Sequence, residues 1–299
     1  MGHQLWTSRI TGYRRRGTRL DDLRSFLGGR GVTQTILEPL QTIPIDGLAS
    51  EFKEILDTRG FDVAGVKQFE DGPVLGFVFK EEMQSGRIRD CLKPINAEDL
   101  ISDATQLADL FTVLRKKERA FVLIGPSVRG IVTRSDLNKP PVRIYLFGLI
   151  SLLEMHMQFW VNFAYPAESW KEQFSGNRLA AAKELQDERR KRDEAVTLLD
   201  CTQFCDKASL LVGKLDLITK LNLASKNKAR SFFGRAERHR NDLAHSQLDL
   251  AHGTSWELII ELVEKIENAV RHSDEAIERE VSPLRGGQND LWAGRGEGR

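Results

Sequence analysis

Six residues toward the C-terminal end, Arg240-Asn241-Asp242-Leu243-Ala244-His245, place a fixed positive charge, an amide and a histidine within two helical turns. An arginine can fork onto a phosphate and stabilise the negative charge that builds up during reaction. A histidine, which ordinarily titrates near pH 6.5, can move a proton at neutral pH. Asn241 lies four residues before His245, one helical turn away, where it can orient the imidazole or bond a ligand. On an ideal helix Arg240 and His245 point about 140° apart, so one helix does not converge them by itself. Arg238, seven residues before His245, shares its face and stays open as the alternative arginine. Between residues 226 and 240 stand six basic residues, Lys226, Lys228, Arg230, Arg235, Arg238 and Arg240, against one acid, Glu237. Such a cluster eases approach to phosphates, although a solvated helix face accounts for it equally well. Phe232 and Phe233 have the types for base stacking, but their spacing suits a core better.

A second cluster lies a hundred residues upstream. Thr133 offers a hydroxyl to a phosphate or ribose, and Asp136, three residues later, offers a carboxylate that can accept both ribose hydroxyls. A helix starting there would favour phosphate at its N-terminus. Gly130, just before, lets the strand lie close to its neighbour. Three cysteines, Cys91, Cys201 and Cys205, form no Cys-x-x-Cys pair and meet no histidine at zinc-ligand spacing, which argues against disulfides and structural zinc and fits a reducing cytoplasm.

The elements that must position these groups fall into two halves. A hydrophobic fraction of 40% and a charged fraction of 29% are those of a folded globular chain, and 299 residues suffice for two domains. The net charge of +1 carries no nucleic-acid signal, so only local clustering can. Residues 1–36, with Arg14-Arg15-Arg16 and Gly28, Gly29 and Gly31, show little periodicity and are expected to be a mobile arm with no secretory signal. Residues 37–140 repeat one order twice. Helical periodicity over 48–58 leads to strands over 61–66 and 74–79, and again over 107–115 to strands over 120–124 and 128–133. After Pro140-Pro141 only helical patterns remain, over 141–163, the charged stretch 183–194, 195–223, 226–245, and a last helix to about 281 capped by Thr254 with Glu257. The glycine-rich residues 283–299 are expected to be a disordered tail.

Residues 144–164 are long and apolar enough to raise the question of a membrane span. Ser151, Glu154, Gln158 and Asn162, however, recur at three- and four-residue spacing and form one polar stripe. A lone glutamate inside a span costs roughly 2.5–3.5 kcal/mol, so a buried helix with its stripe on a partner or cleft is the better expectation.

With its strongest part at residues 120–136, the repeat over 37–155 resembles a tandem pair of CBS domains. That resemblance implies an α+β module with clefts for adenine nucleotides, and a site at Gly130, Thr133 and Asp136. The first repeat departs from the pattern: after Gly76 it has Phe79 where a hydroxyl is expected and Glu82 where an aspartate is expected. One competent nucleotide site and one degenerate one follow. Modules of this kind also serve purely as dimerisation surfaces.

Residues 141–282 resemble a HEPN domain, an all-helical bundle whose ribonuclease members carry an arginine, four to six residues, then a histidine. The resemblance implies a metal-independent endoribonuclease in which Arg240 steadies the scissile phosphate, His245 moves the proton and Asn241 assists. Lys226, Lys228, Arg230, Arg235 and Arg238 would bind RNA, and a two-fold partner would complete the site. No cofactor is required; an adenine nucleotide would be the regulatory ligand, with the helix over 141–163 linking the halves. Such an enzyme would be a cytoplasmic homodimer, or a higher even oligomer, in stress response or phage defence. The alternative is a nucleotide-responsive scaffold whose helical half binds a partner protein or RNA without cutting it.

Overall fold

The computed structural model describes residues 6–7, 14–15, 19–27, 32–245 and 249–281. The glycine-rich tail expected after residue 282, and Arg16, Gly28, Gly29 and Gly31 of the expected arm, lie outside them. The chain divides into two units, Phe26–Arg143 (the repeat unit) and Met1–Ser25 with Ile144–Arg299 (the helical unit). The division between Arg143 and Ile144 lies three residues beyond the boundary expected at residue 140.

In chain order the first elements are the paired strands β1 (Trp6–Thr7) and β2 (Arg14–Arg15), the helices α1 (Leu20–Leu27) and α2 (Val32–Ile36), and strand β3 (Glu38–Pro39). A mobile arm over 1–36 is thus corrected at two places. Leu20 is buried, Arg24 pairs with Glu267 at 2.5 Å and Arg19 with Glu278 at 3.1 Å, which fixes the start of α1 within the helical unit. In the repeat unit, Ile36 is fully buried and Thr33 donates to the Thr105 carbonyl at 2.6 Å. Sparse anchors of this kind leave no periodic trace in a sequence.

The first repeat is β4 (Thr42–Pro44), α3 (Ala49–Arg59), β5 (Val63–Lys67) and β6 (Val74–Phe79); the second is β7 (Leu100–Ser102), α4 (Leu107–Lys116), β8 (Arg119–Ile124) and β9 (Ser127–Thr133). In each, the leading strand runs parallel to the second, and the second antiparallel to the third. The helices are made by apolar residues at three- and four-residue spacing; Leu107, Leu110, Phe111 and Leu114 are all buried. Helix α3 stops at Gly60, whose φ of +70° lets its N–H close on the carbonyls of Leu56 and Asp57. The two repeats are tied by their connecting segments. Strand β3 pairs with β9, giving the sheet order β3-β9-β8-β7, and Lys93 exchanges two backbone hydrogen bonds with Phe77 of β6 at 2.8 and 2.9 Å.

A helix was expected to start at Asp136. Instead a 3₁₀ turn spans Arg134–Asn138 and breaks at Lys139, extended at φ −66° and ψ 149°. The residue before a proline is driven out of the helical region, and α5 (Pro140–Ala164) begins only at Pro140.

Beyond α5 the helical unit has a 3₁₀ segment, Pro166–Gln173, then α6 (Gly176–Arg190), α7 (Phe204–Gly213), α8 (Leu215–Lys220), α9 (Lys226–Ala244) and α10 (Trp256–Val281). The single helix expected over 195–223 is corrected to a 3₁₀ turn plus α7 and α8. Asp206 caps the Gln203 backbone N–H at 3.1 Å, which starts α7, and Lys214 is extended between the two helices. The cap of α10 is Ser255, whose hydroxyl accepts from Leu258 N–H at 3.4 Å, rather than Thr254. Helix α5 is long and apolar enough to cross a membrane by length and composition. Its Leu149, Leu153, His156, Met157 and Trp160 are nevertheless buried in the helical unit, and its Glu154 is ion-paired there.

Candidate functional site

In the second repeat, Asp136 folds back onto Thr133, and Gly130, three residues before Thr133, pairs with Pro39 of β3. A Cβ on Gly130 would meet Leu37 at 3.1 Å and Val122 at 3.2 Å, so this glycine admits the close pairing with β3. The buried Asp136 accepts from the Thr133 backbone N–H at 2.7 Å and from the Thr133 hydroxyl at 2.9 Å. Its other oxygen lies 2.8 Å from Lys139 Nζ. Lys139 also reaches Glu38 and the Ile36 carbonyl, both at 2.5 Å. Burial would lower the Lys139 pKa, but Asp136 and Glu38 outweigh it and hold the ammonium above its ordinary value. Both oxygens of the acceptor are therefore already engaged within the chain.

The first repeat differs as its sequence indicated. Phe79 stands in the hydroxyl position and builds no capping box; Glu82 instead pairs with Lys93 at 2.5 Å. A Cβ on Gly76 would lie 2.3 Å from the Lys93 carbonyl, so Gly76, like Gly130, admits a connecting segment. Lys93 Nζ lies 4.5 Å, and the Arg119 guanidinium carbon 4.3 Å, from the Phe79 ring centroid.

In the helical unit, Arg240 sits on α9 with Nε 3.7 Å from Glu154 Oε2 on α5. The other Glu154 oxygen accepts from Lys207 Nζ at 2.8 Å. Lys207 is 1% exposed and donates also to the Thr202 carbonyl at 2.8 Å, so a buried ammonium holds the carboxylate against Arg240. Asn241 and His245 are exposed. His245 caps the helix, its backbone N–H bonded to the Asn241 carbonyl at 2.9 Å. The chain does not bring the Arg240 and His245 side chains into contact among the described residues. Arg238 is exposed on the side of α9 away from the buried Ala229, Phe232, Phe233 and Ala236, so Arg240 is the arginine that meets Glu154.

The basic cluster of α9 is two clusters. At about 100° per residue, Lys226, Arg230 and Arg240 fall in one sector of roughly 80°, and Lys228, Arg235 and Arg238 in another on the opposite flank. Lys226 bonds the Gly213 carbonyl at 3.0 Å, Arg230 bonds Asn227 at 3.1 Å and Arg235 bonds the Leu258 carbonyl at 2.5 Å. Phe232 and Phe233 are core residues. Glu154 and His156 part company: His156 is buried, with Nδ1 2.7 Å from the Ser273 hydroxyl, which Trp160 also reaches at 2.7 Å.

Sequence reasoning missed Lys139, Lys207 and His239. Only Lys139, three residues from Asp136, carried a local signal. His239 lines an apolar pocket together with Leu146, Leu149, Ile150, Leu243, Ile259 and Ile266. Burial, opposed by Asp242 and aided by Arg235 and Arg238, pushes its pKa below the ordinary histidine value.

No family model matches the chain, and no curated protein matches it. Solved structures similar to part of it include CBS domains. The CBS domain of a bacterial CNNM/CorC family Mg2+ transporter in complex with ATP is 13% identical over 39% of this chain and 90% of its own, with a TM-score of 0.33. CBSX2 in complex with AMP is 17% identical over 38% of this chain and 98% of its own, also at 0.33. A CBS domain protein of unknown function from Thermoplasma acidophilum is 16% identical over 38% and 73%, at 0.31. At these scores none of the superpositions bears on function. What defines the repeat unit is its own strand order and register.

Proposed function

We propose that the chain is a nucleotide-regulated, metal-independent endoribonuclease: a tandem CBS module that senses an adenine nucleotide, and a HEPN-type helical domain that cuts RNA as a homodimer in a reducing cytoplasm. The observation that carries the enzymatic reading is the chain of charges from buried Lys207 through Glu154 to Arg240. An arginine of a merely solvated face has no use for a buried lysine behind its carboxylate, whereas one aimed at a phosphate benefits from a fixed position.

In the reaction, the ribose 2′-oxygen attacks the neighbouring phosphorus. The P–O2′ bond forms, the P–O5′ bond breaks, and a proton passes from the 2′-hydroxyl to the leaving 5′-oxygen with His245 as the carrier. Arg240 stabilises the charge on the non-bridging oxygens, and Asn241 steadies the histidine or the RNA. Because Arg240 and His245 are apart within one chain, the second copy supplies the complement. The cation flank of Lys226 and Arg230 shares Arg240's sector and is the favoured RNA track; Lys228, Arg235 and Arg238 face another way.

In the repeat unit the nucleotide uses Thr133 and Asp136, with Gly130 keeping β3 close. Its ribose hydroxyls exchange with Lys139 on Asp136. Phe79 and Glu82 leave the first repeat without an equivalent site.

A second reading is favoured by the separation of Arg240 from His245 and by the split of the basic residues: a nucleotide-responsive scaffold that binds RNA or a protein without cutting. RNA incubated with the purified chain in EDTA separates the two. The enzyme gives 2′,3′-cyclic phosphate ends that disappear with His245→Ala and Arg240→Ala while the variants stay folded. Intact RNA at every protein concentration leaves the scaffold.

A further inference from the structure

Two cations that no part of the nucleotide reading uses converge on one aromatic ring. Arg119 opens β8, and its register partner is Thr133 at the end of β9. The bond from Arg134 N–H to the Glu118 carbonyl at 3.1 Å flanks this pair, so Arg119 and Thr133 are a non-hydrogen-bonded antiparallel pair. In such a pair the Cα atoms are about 4.5 Å apart and the side chains stand together on one face of the sheet. Arg119 thus rises beside the hydroxyl expected to meet a phosphate. Its guanidinium lies 4.3 Å from the Phe79 centroid, and Lys93 Nζ lies 4.5 Å from the same centroid. The two positive charges are therefore roughly 9 Å apart or closer, held by the ring face each is attracted to. Phe79, which costs the first repeat its hydroxyl, becomes the platform for both.

The present partners of these cations are exchangeable. Arg119 pairs with Glu118, 71% exposed, at 3.2 Å, and Lys93 with Glu82, 39% exposed, at 2.5 Å. Exposed ion pairs are weak, whereas a phosphate presents several charged oxygens that arginine grips with two bonds.

We propose that Arg119 and Lys93, mounted on Phe79, form an anion subsite next to Thr133 that takes the outer phosphates of a nucleoside di- or triphosphate. This rests on the assignment of Thr133 and Asp136 as the nucleotide site and adds the ligand class: linked phosphates rather than a single one. The first phosphate meets Thr133; the second and third extend along the shelf.

Titration calorimetry of the full chain with AMP, ADP and ATP, in EDTA, tests it. Affinity rises in that order, with ATP about tenfold or more tighter than AMP. Arg119→Gln and, separately, Lys93→Gln each weaken ATP several-fold more than AMP. Lys93→Gln changes a side chain on the surface and guards against a folding defect in the other variant, which thermal melting also monitors. Equal affinity of the wild type for AMP and ATP overturns the subsite, as does an equal loss of both ligands in the two variants. Asp136→Asn separates that failure from failure of the underlying site. If Asp136→Asn loses AMP but the wild type shows no phosphate-dependent gain, only the subsite falls. If no nucleotide binds, or Asp136→Asn binds like the wild type, the site falls and the subsite with it.

Discussion

Lys207 and His239 show how far a side chain's behaviour depends on what surrounds it. Lys207 is among the most buried side chains of the protein, and its ammonium donates to Glu154 and to the Thr202 carbonyl. Replacing it by methionine leaves Glu154 facing Arg240 alone, from a site only 19% exposed. Breaking a buried pair on one side costs about 3–5 kcal/mol. Lys207→Met is therefore expected to lose stability of that order in urea unfolding, and Lys207→Met with Glu154→Gln to regain part of it. A single variant within about 1 kcal/mol of the wild type would show the pair to be idle. His239 gives a pH dependence. Its pKa in the folded chain is lowered by burial, so the unfolded chain binds the proton more readily. The native state gains nothing from this group as pH rises above about 6.5, and loses stability as pH falls from there through the folded value. His239→Leu should remove that loss, so the stability difference between variant and wild type grows in the variant's favour from pH 7.5 to 5. A difference independent of pH contradicts it. Neither residue was visible from spacing alone: Lys207 is 53 positions from Glu154, and the pocket of His239 is built from α5, α9 and α10.

At the scale of elements, periodicity was a good guide where an element is long enough to show it. Strand β6 and helices α3, α4 and α9 fall within a residue or two of their sequence positions, because alternation or three-and-four spacing is what buries one face. The leading strands β4 and β7 escaped, since three residues hold no pattern and only parallel pairing defines them. Helices α7 and α8 escaped because an Asp206 cap and an extended Lys214 interrupt an apolar run that reads as continuous. The two glycines that admit the connecting segments make a graded test. At Gly76 a methyl group meets a backbone carbonyl at 2.3 Å, which cannot move aside; at Gly130 it meets side chains at 3.1 and 3.2 Å, which can. Gly76→Ala is expected to cost about 2–3 kcal/mol and Gly130→Ala about 1 kcal/mol or less. Thermal unfolding of the two variants side by side reads this out, and the reverse order would contradict the register given for β6 and Lys93.

For the whole molecule, the internal repeat of the first unit was legible in the sequence, and the chain divides into two units. Thr133 and Asp136 of the second repeat bond each other, while the side chains of Arg240 and His245 stay apart within one chain. A single sequence cannot show whether a second copy supplies what is missing, and the charges of α9 fold onto two flanks that a linear count merges. The proposed regulation places a nucleotide on Asp136, whose partner Lys139 immediately precedes the first residue of α5, the helix that carries Glu154. Coupling between sites is a free energy, and here it must appear as a change in cutting rate when nucleotide is present. The most direct measurement is single-turnover cleavage of one defined RNA in EDTA by wild type, Asp136→Asn and His245→Ala, each with and without saturating ATP. The expected result is cleavage by the wild type whose rate changes about fivefold or more with ATP, cleavage by Asp136→Asn that ignores ATP, and none by His245→Ala. A wild type that leaves the RNA intact, or cuts it at one rate whatever nucleotide is present, contradicts a nucleotide-regulated ribonuclease.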